Sequence, residues 1–132
     1  MTTFTIEKLP DEPIIVVWLS EDWNEESGSS RVVQQLRELL DSSEEKVFCI
    51  GDVRNLHFTI PELIQSAQVM SKLLKHPNII ESMMVVEGNP LIKLATEGLK
   101  TDVFGNVPVS VYETVDEALT YARAKIAEMQ SG

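Results

Sequence analysis

Three short apolar runs, separated by longer amphipathic segments, constrain the fold of this chain more than any other feature of its sequence. They are Ile14–Leu19, Val47–Ile50 and Met83–Val86. Each run is continuous, and the first is rich in β-branched residues, which is typical of a strand buried on both faces. Such strands, alternating with helices, predict a largely parallel sheet whose crossover connections are helical.

Two further segments predict strands at the margins of that sheet. Residues 3–7 alternate between polar and apolar side chains, which indicates a half-buried strand. The turn residues Leu9–Pro13 connect it to the first apolar run, so the two form a hairpin. Residues 107–112 alternate in the same way, and Pro108 among them favours a position at the edge of the sheet.

Four segments with apolar residues at helical spacing predict four helices. The first surrounds Val32–Leu40, and the second runs from about Ile60 to His76, where a proline follows. The third begins at Pro90, a residue that suits the first helical position. The fourth begins with an S/T-x-x-E capping box at Thr114.

The predicted order of elements is therefore ββαβαβαβα. This is an α/β fold with a mixed, mostly parallel five-stranded sheet, an N-terminal antiparallel hairpin and four helices. A chain of 132 residues fits one domain, so we expect residues 1–132 to form a single unit. A domain of this size buries an adequate core without disulfides or a metal.

The charge balance bears on the partners of the protein. The chain carries 21 acidic and 11 basic residues, for a net charge of −10. Nucleic acids and anionic membranes are bound by clustered Lys and Arg, so the sequence disfavours both as partners. The longest purely apolar run, Ile14–Leu19, is far shorter than the roughly 20 residues of a membrane helix, so we expect no membrane insertion.

Cysteine usage and the first residues of the chain bear on its compartment. The single cysteine, Cys49, lies inside an apolar run, which predicts a buried, inert thiol. One cysteine forms neither an internal disulfide nor a Cys-based zinc site. The N-terminal residues have no basic segment followed by an apolar stretch, so we expect no secretory signal and a cytoplasmic location.

The bend after the second apolar run gathers the residues that are candidates for function. Asp52 and Arg54 follow the carboxyl end of a central strand, the edge at which open α/β sheets bind ligands. They form either an ion pair that ties the strand to a loop or a polar site for a small anion. His57 either titrates near neutral pH or covers the neighbouring loop, and no positioned nucleophile accompanies it.

Two more residues complete the set of candidates. Thr59 opens a second S/T-x-x-E pattern that ends at Glu62, so helix capping accounts for it, with phosphorylation of Thr59 as the alternative. Trp23 lies among acidic residues in a polar loop, and it either contacts a protein partner or packs back over the sheet. The spacing of Asp52, His57 and Glu62 matches no metal motif, so we expect neither a metal nor a cofactor.

The stretch Cys49–Arg54, with its D-x-R motif at the end of a strand, resembles the STAS-like superfamily. The final strand and helix, Val109–Tyr112 followed by Thr114–Ala118, are similar to that family as well. The resemblance implies a small bacterial regulatory domain of the anti-sigma factor antagonist type, related to CRAL-TRIO lipid-transfer domains. In the antagonist branch a serine at the start of the second helix is phosphorylated. The matching residues Phe58–Glu62 contain no serine.

The sequence leads to two hypotheses for function. The first is a non-enzymatic binding or regulatory module that contacts protein partners through a surface containing Asp52, Arg54, His57, Thr59 and Trp23. The alternative is a carrier of a small apolar or lipid-like ligand. We also expect a homodimer, in which an alternating edge strand pairs across a two-fold axis.

Overall fold

The computed structural model describes residues 4–19, 30–55, 61, 68, 71–99, 101 and 109–131. Its centre is a five-stranded sheet in which the strands lie side by side in the order of the chain. The first two strands are antiparallel, and the remaining pairs are parallel. The predicted mixed, mostly parallel sheet with an N-terminal hairpin is therefore confirmed. The strands are β1 (Phe4–Lys8), β2 (Ile14–Leu19), β3 (Val47–Asp52), β4 (Ile79–Val85) and β5 (Val109–Tyr112).

Three helices can be traced within the described residues: α1 (Ser30–Ser42), α2 (Pro90–Leu99) and α3 (Val115–Ser131). The prediction of four helices is not confirmed, because most of the expected helix between Ile60 and His76 lies outside the described residues. Pro61, Gln68 and residues 71–74 within that span are helical.

The boundaries of β3 and β4 differ from the predicted ones. The third apolar run was expected to begin a strand at Met83, but β4 begins at Ile79. Glu81 and Ser82 interrupt the apolar pattern there, although both pair with β3 in the parallel ladder. β3 extends through Gly51 to Asp52, because both residues pair with β4. The sheet therefore reaches into the bend that carries the candidate site.

The core is divided by the sheet into two apolar clusters. The first lies on the face that packs on α1 and on Leu73 and Leu74, here called the α1 face. The second lies on the face that packs on Ala118 and Ala122 of α3, here called the α3 face. Alternate residues of β3 point to opposite faces, as the pleat requires. The continuous apolar runs are thus explained by burial on both sides.

Candidate functional site

A row of residues in register crosses the sheet at its carboxyl edge. Trp18 pairs with Asp52, Asp52 pairs with Val85, and Val85 pairs with Tyr112. Alternation along β3 places Asp52 on the α3 face together with Phe48 and Ile50. Asp52 is only 3% exposed, so the last residue of a central strand is a buried acid with apolar neighbours on both sides.

Arg54 binds both carboxylate oxygens of Asp52. Its guanidinium Nε lies 3.2 Å from Asp52 Oδ2, and its backbone amide donates to Asp52 Oδ1 at 3.3 Å. The predicted ion pair between these residues is therefore present. It closes the bend directly after β3, and it supplies the charged partner that a buried carboxylate needs.

The same guanidinium reaches a second carboxylate, which the sequence did not single out. Arg54 Nη1 donates to Glu87 Oε2 at 2.7 Å. The side chains of Arg54 and Glu87 are 38% and 54% exposed, whereas that of Asp52 is 4% exposed. Arg54 therefore bridges a buried acid of β3 and a surface acid that follows β4. Taken together, Asp52, Arg54 and Glu87 carry a net charge of −1 when all three are ionised.

The turn after β4 holds Glu87 in place. The backbone of Glu87 has φ 38° and that of Gly88 has φ 77°, and the amide of Asn89 donates to the Val86 carbonyl at 2.9 Å. Two positive φ angles at the centre of a four-residue turn are typical of type I′. The left-handed conformation costs a residue with a Cβ about 1–2 kcal/mol. The ladder of β4 and the pair with Arg54 together offset that strain.

Burial and charge act in opposite directions on Asp52. Burial raises the pKa of its carboxyl, the amide and guanidinium of Arg54 lower it, and the charge of Glu87 raises it, with a net upward shift. The hydrogen bond to Glu87 and the charge of Asp52 raise the pKa of Arg54, so the guanidinium stays charged. Arg54 thus keeps its positive charge, whereas the raised pKa of Asp52 makes this buried carboxylate easier to protonate.

The remaining candidates from the sequence, His57, Thr59 and Trp23, lie outside the described residues. The capping and phosphorylation alternatives for Thr59, and the contact and packing alternatives for Trp23, stay predictions. Glu87 was missed because its proximity to Arg54 depends on β3 and β4 being neighbours. The turn signal at Glu87–Pro90, combined with that adjacency, would have identified it.

His76, the second histidine, takes part in a separate structural contact. Its Nε2 lies 2.7 Å from Asp41 Oδ1, and its Nδ1 accepts a hydrogen bond from the Asn78 amide at 3.1 Å. The side chain of Asn78 in turn donates to the Leu40 carbonyl at 2.8 Å. These contacts tie the end of α1 to the segment that enters β4, so His76 has an architectural role.

Metal-binding clusters and membrane-spanning helices are both absent from the part of the chain that the structure describes. Within the described residues, no group of three or more His, Cys, Asp or Glu side chains is arranged to hold a metal ion. In the same part of the chain, no helix has the length and apolar character needed to cross a bilayer.

Comparison of the chain with protein-family models, with curated proteins and with solved structures gives no match. The resemblance to the STAS-like superfamily therefore stays a prediction.

Proposed function

We propose that the protein is a non-enzymatic binding or regulatory module that acts through protein–protein contacts at the carboxyl edge of its sheet. The observation that carries this proposal is the double pairing of Arg54 with Asp52 and Glu87. Asp52, at the inner end of this network, is buried, whereas Arg54 and Glu87 are exposed to solvent in part. The arrangement presents a fixed polar surface without presenting a free reactive group.

Rigidity supports a role in recognition. Asp52 is the last residue of β3, and Glu87 lies two residues beyond the end of β4, so both are attached to the centre of the sheet. A surface held in one conformation loses little entropy when it binds, which favours affinity. The strained backbone of Glu87 is consistent with this role, because such strain persists where the surroundings fix a conformation.

The engagement of Asp52 supports a role other than catalysis. A general acid or base must lie within hydrogen-bond reach of the substrate proton that it transfers. Both oxygens of Asp52 are instead bound by Arg54, and the carboxyl is buried on the α3 face of the sheet. The network therefore fixes the conformation of the carboxyl edge of the sheet. The function that we propose for this edge is binding.

Charge indicates the chemistry of the partner. The chain has a net charge of −10, and Glu87 is the most exposed member of an ion network that is itself acidic overall. Complementary charge accelerates association and is screened by salt. The partner that fits is a protein with a basic surface, and Trp23 in its acidic loop is a further candidate for the contact.

The test is affinity capture from lysate of the source cells with three forms of the purified protein. They are the unaltered chain, Glu87→Gln and the matched control Glu44→Gln, which removes one exposed carboxylate from the segment before β3, at the opposite edge of the sheet. We expect Glu87→Gln to reduce recovery of the partner at least about fivefold, and Glu44→Gln to leave it unchanged.

Recovery should also fall as salt is raised, because the attraction is between surface charges. Equal recovery with all three forms, or equal loss with both variants, would overturn the proposed contact surface. Trp23→Ala, captured in parallel, tests separately whether the acidic loop belongs to that surface. Urea unfolding of each variant measures its stability, and so tells whether a loss of capture comes from unfolding.

A further inference from the structure

The outward side of β1 carries backbone groups that pair with no other described strand. β1 is the first strand in the order of the sheet, and β2 is its only neighbour among the described strands. The amide of Leu9 donates to the carbonyl of Ile14 at 2.9 Å, which continues the register of the two strands. Because the backbone groups of an antiparallel strand alternate between its two sides, those of the odd-numbered residues of β1 point to β2. The residues whose amide and carbonyl groups point outwards are therefore Phe4, Ile6 and Lys8.

The hydrogen bonds of β2 lead to the same assignment. The amide of Phe48 donates to the carbonyl of Pro13, directly before β2, at 2.9 Å. The odd-numbered residues of β2 therefore point to β3, and its even-numbered residues point to β1. In the register of the hairpin, these even-numbered residues lie opposite the odd-numbered residues of β1. Two hydrogen bonds at opposite sides of β2 thus agree on which groups of β1 point outwards.

The side chains of β1 leave apolar surface partly open. Phe4 and Ile6 pack on the core cluster of the α1 face, yet both stay partly exposed. On the same face of the next strand, Ile15 and Val17 are only 1% and 5% exposed. The difference is that β2 has a strand on each side, whereas β1 has a described strand on one side. A further strand beside β1 would therefore cover the rest of Phe4 and Ile6.

Lys8 is a residue type that usually opposes such pairing, because a lysine at an exposed strand hinders the approach of a second strand. Its Nζ instead donates to the carbonyls of Leu9 and Glu12, in the turn before β2. The ammonium group is thus held by its own hairpin. It is not directed across the outward side of β1.

We propose that β1 of a second copy of the chain pairs with β1, so that the two sheets join antiparallel across a two-fold axis. The outward groups fix the register, because only residues whose groups point outwards can form the hydrogen-bonded pairs. With Ile6 of one copy opposite Ile6 of the other, Phe4 lies opposite Lys8, and every residue of β1 is paired. This arrangement forms roughly six interstrand hydrogen bonds. The sequence predicts a homodimer without deciding between its edge strands, and the structure assigns the contact to β1.

Charge favours this register over the two adjacent ones. In it Glu7 lies opposite Thr5 of the other copy, so no two like charges face each other. A shift by two residues in one direction places Glu7 opposite Glu7, and like charges directly opposite each other are destabilising. The shift in the other direction leaves Glu7 and Lys8 without a partner in β1. The strand is thus complementary to itself, which is why a second copy is the partner that fits.

The first test compares Ile6→Pro with Ile6→Ala by sedimentation equilibrium of the purified protein. Both variants lose the isoleucine side chain, but only proline also removes the outward amide hydrogen. Because that amide does not pair with β2, the hairpin keeps its hydrogen bonds. We expect the dimer dissociation constant of Ile6→Pro to be at least about tenfold higher than that of Ile6→Ala, since one hydrogen bond is lost from each copy.

The second test changes the charge that faces Glu7. Thr5 is exposed, and Thr5→Gln serves as the neutral control. Relative to that control, Thr5→Lys should strengthen the dimer about fivefold and Thr5→Glu should weaken it by a similar factor, because each change acts twice across the two-fold axis. Raising the salt concentration should reduce both effects. These variants keep the backbone unchanged, so they test the proposal even if the proline variant does not fold.

Several outcomes would overturn the proposal. They are a monomeric mass of the unaltered chain at millimolar concentration, equal dissociation constants of the two Ile6 variants, and a dimer that Thr5→Lys weakens as much as Thr5→Glu does. Glu87→Gln should leave dimerisation unchanged, because Glu87 belongs to the carboxyl edge and not to β1. The failure of this proposal is therefore distinguishable from a failure of the proposed protein-contact surface.

Discussion

Arg54 Nη1 lies 2.7 Å from Glu87 Oε2, and this contact joins two residues that are 33 positions apart in the chain. It links the bend after β3 to the turn after β4. Because Arg54 also binds Asp52, the exposed contact and the buried ion pair depend on one side chain. Changes to that side chain should therefore affect both stability and the shape of the carboxyl edge.

Replacing Arg54 by Ala should lower the free energy of unfolding by about 2 kcal/mol, because Asp52 would stay buried without its charged partner. This value is below that of a fully buried pair, since Arg54 itself is partly exposed. Urea unfolding at neutral pH measures it. Arg37→Ala, an exposed change on α1, is the control and should cost less than about 0.5 kcal/mol. Equal effects of the two changes would show that the pair with Asp52 contributes nothing.

The stability of the protein should depend on pH through Asp52. Burial raises the pKa of this carboxyl in the folded state above its ordinary value of 3.8. Between the two values the folded state binds more protons than the unfolded state, so the free energy of unfolding falls as pH rises through that range. Above the folded pKa this contribution becomes constant.

Asp52→Asn removes the titrating group and isolates its effect from those of the other acids. We expect the free energy of unfolding of the unaltered chain, minus that of Asp52→Asn, to decrease as pH rises and then to level off. Urea titrations from about pH 3.5 to 7 measure this difference. A difference that increases with pH would mean that Arg54 outweighs burial and that the pKa of Asp52 is lowered.

The capping box at the start of α3 should contribute measurably to stability. The Glu117 amide donates to Thr114 Oγ1 at 3.1 Å, as predicted, whereas the Glu117 carboxylate accepts from the Glu113 amide at 3.2 Å rather than from that of Thr114. Thr114→Ala should cost about 1 kcal/mol, and Thr114→Ser should retain most of the cap.

Thr120 provides the control for this change. Its hydroxyl donates to the Asp116 carbonyl at 2.9 Å inside the same helix. This hydrogen bond does not cap a free backbone amide at the helix N-terminus. Thr120→Ala should leave stability within about 0.5 kcal/mol of the unaltered chain, because alanine also favours the helix. If thermal unfolding shows equal losses for the Thr114 and Thr120 variants, the cap has no special contribution.

The thiol of Cys49 should react slowly in the folded protein. Cys49 is buried in β3, and burial raises its pKa to about 12, so the reactive thiolate is scarce at neutral pH. Labelling with a thiol reagent at neutral pH should be slow in buffer and complete within the mixing time in denaturant. Fast labelling of the folded protein would contradict both the burial and the raised pKa.

The sheet could be predicted from the sequence to a large extent. Continuous apolar runs at Ile14–Leu19 and Val47–Ile50 indicated strands buried on both faces, and the two core clusters show that burial. The start of β4 was misplaced because Glu81 and Ser82 break the apolar pattern. Their pairing with Phe48 and Cys49 depends on a neighbouring strand, which a local pattern does not contain.

The candidate site could be predicted only in part. Asp52 and Arg54 are two residues apart, so their pairing is a local feature that the sequence shows. Glu87 joins them through the adjacency of β3 and β4 and through a turn with positive φ angles.

The chain-order arrangement of the strands has a consequence for how the sheet can assemble. Among the described strands, each later one lies beside the one that precedes it, so none of them has to insert between two that are already joined. Each later strand therefore pairs with an edge that the preceding strand leaves open, and no existing strand pair has to separate to admit it. The last helix, α3, contacts β3, β4 and β5, so one helix holds these three neighbouring strands together on the second face of the sheet.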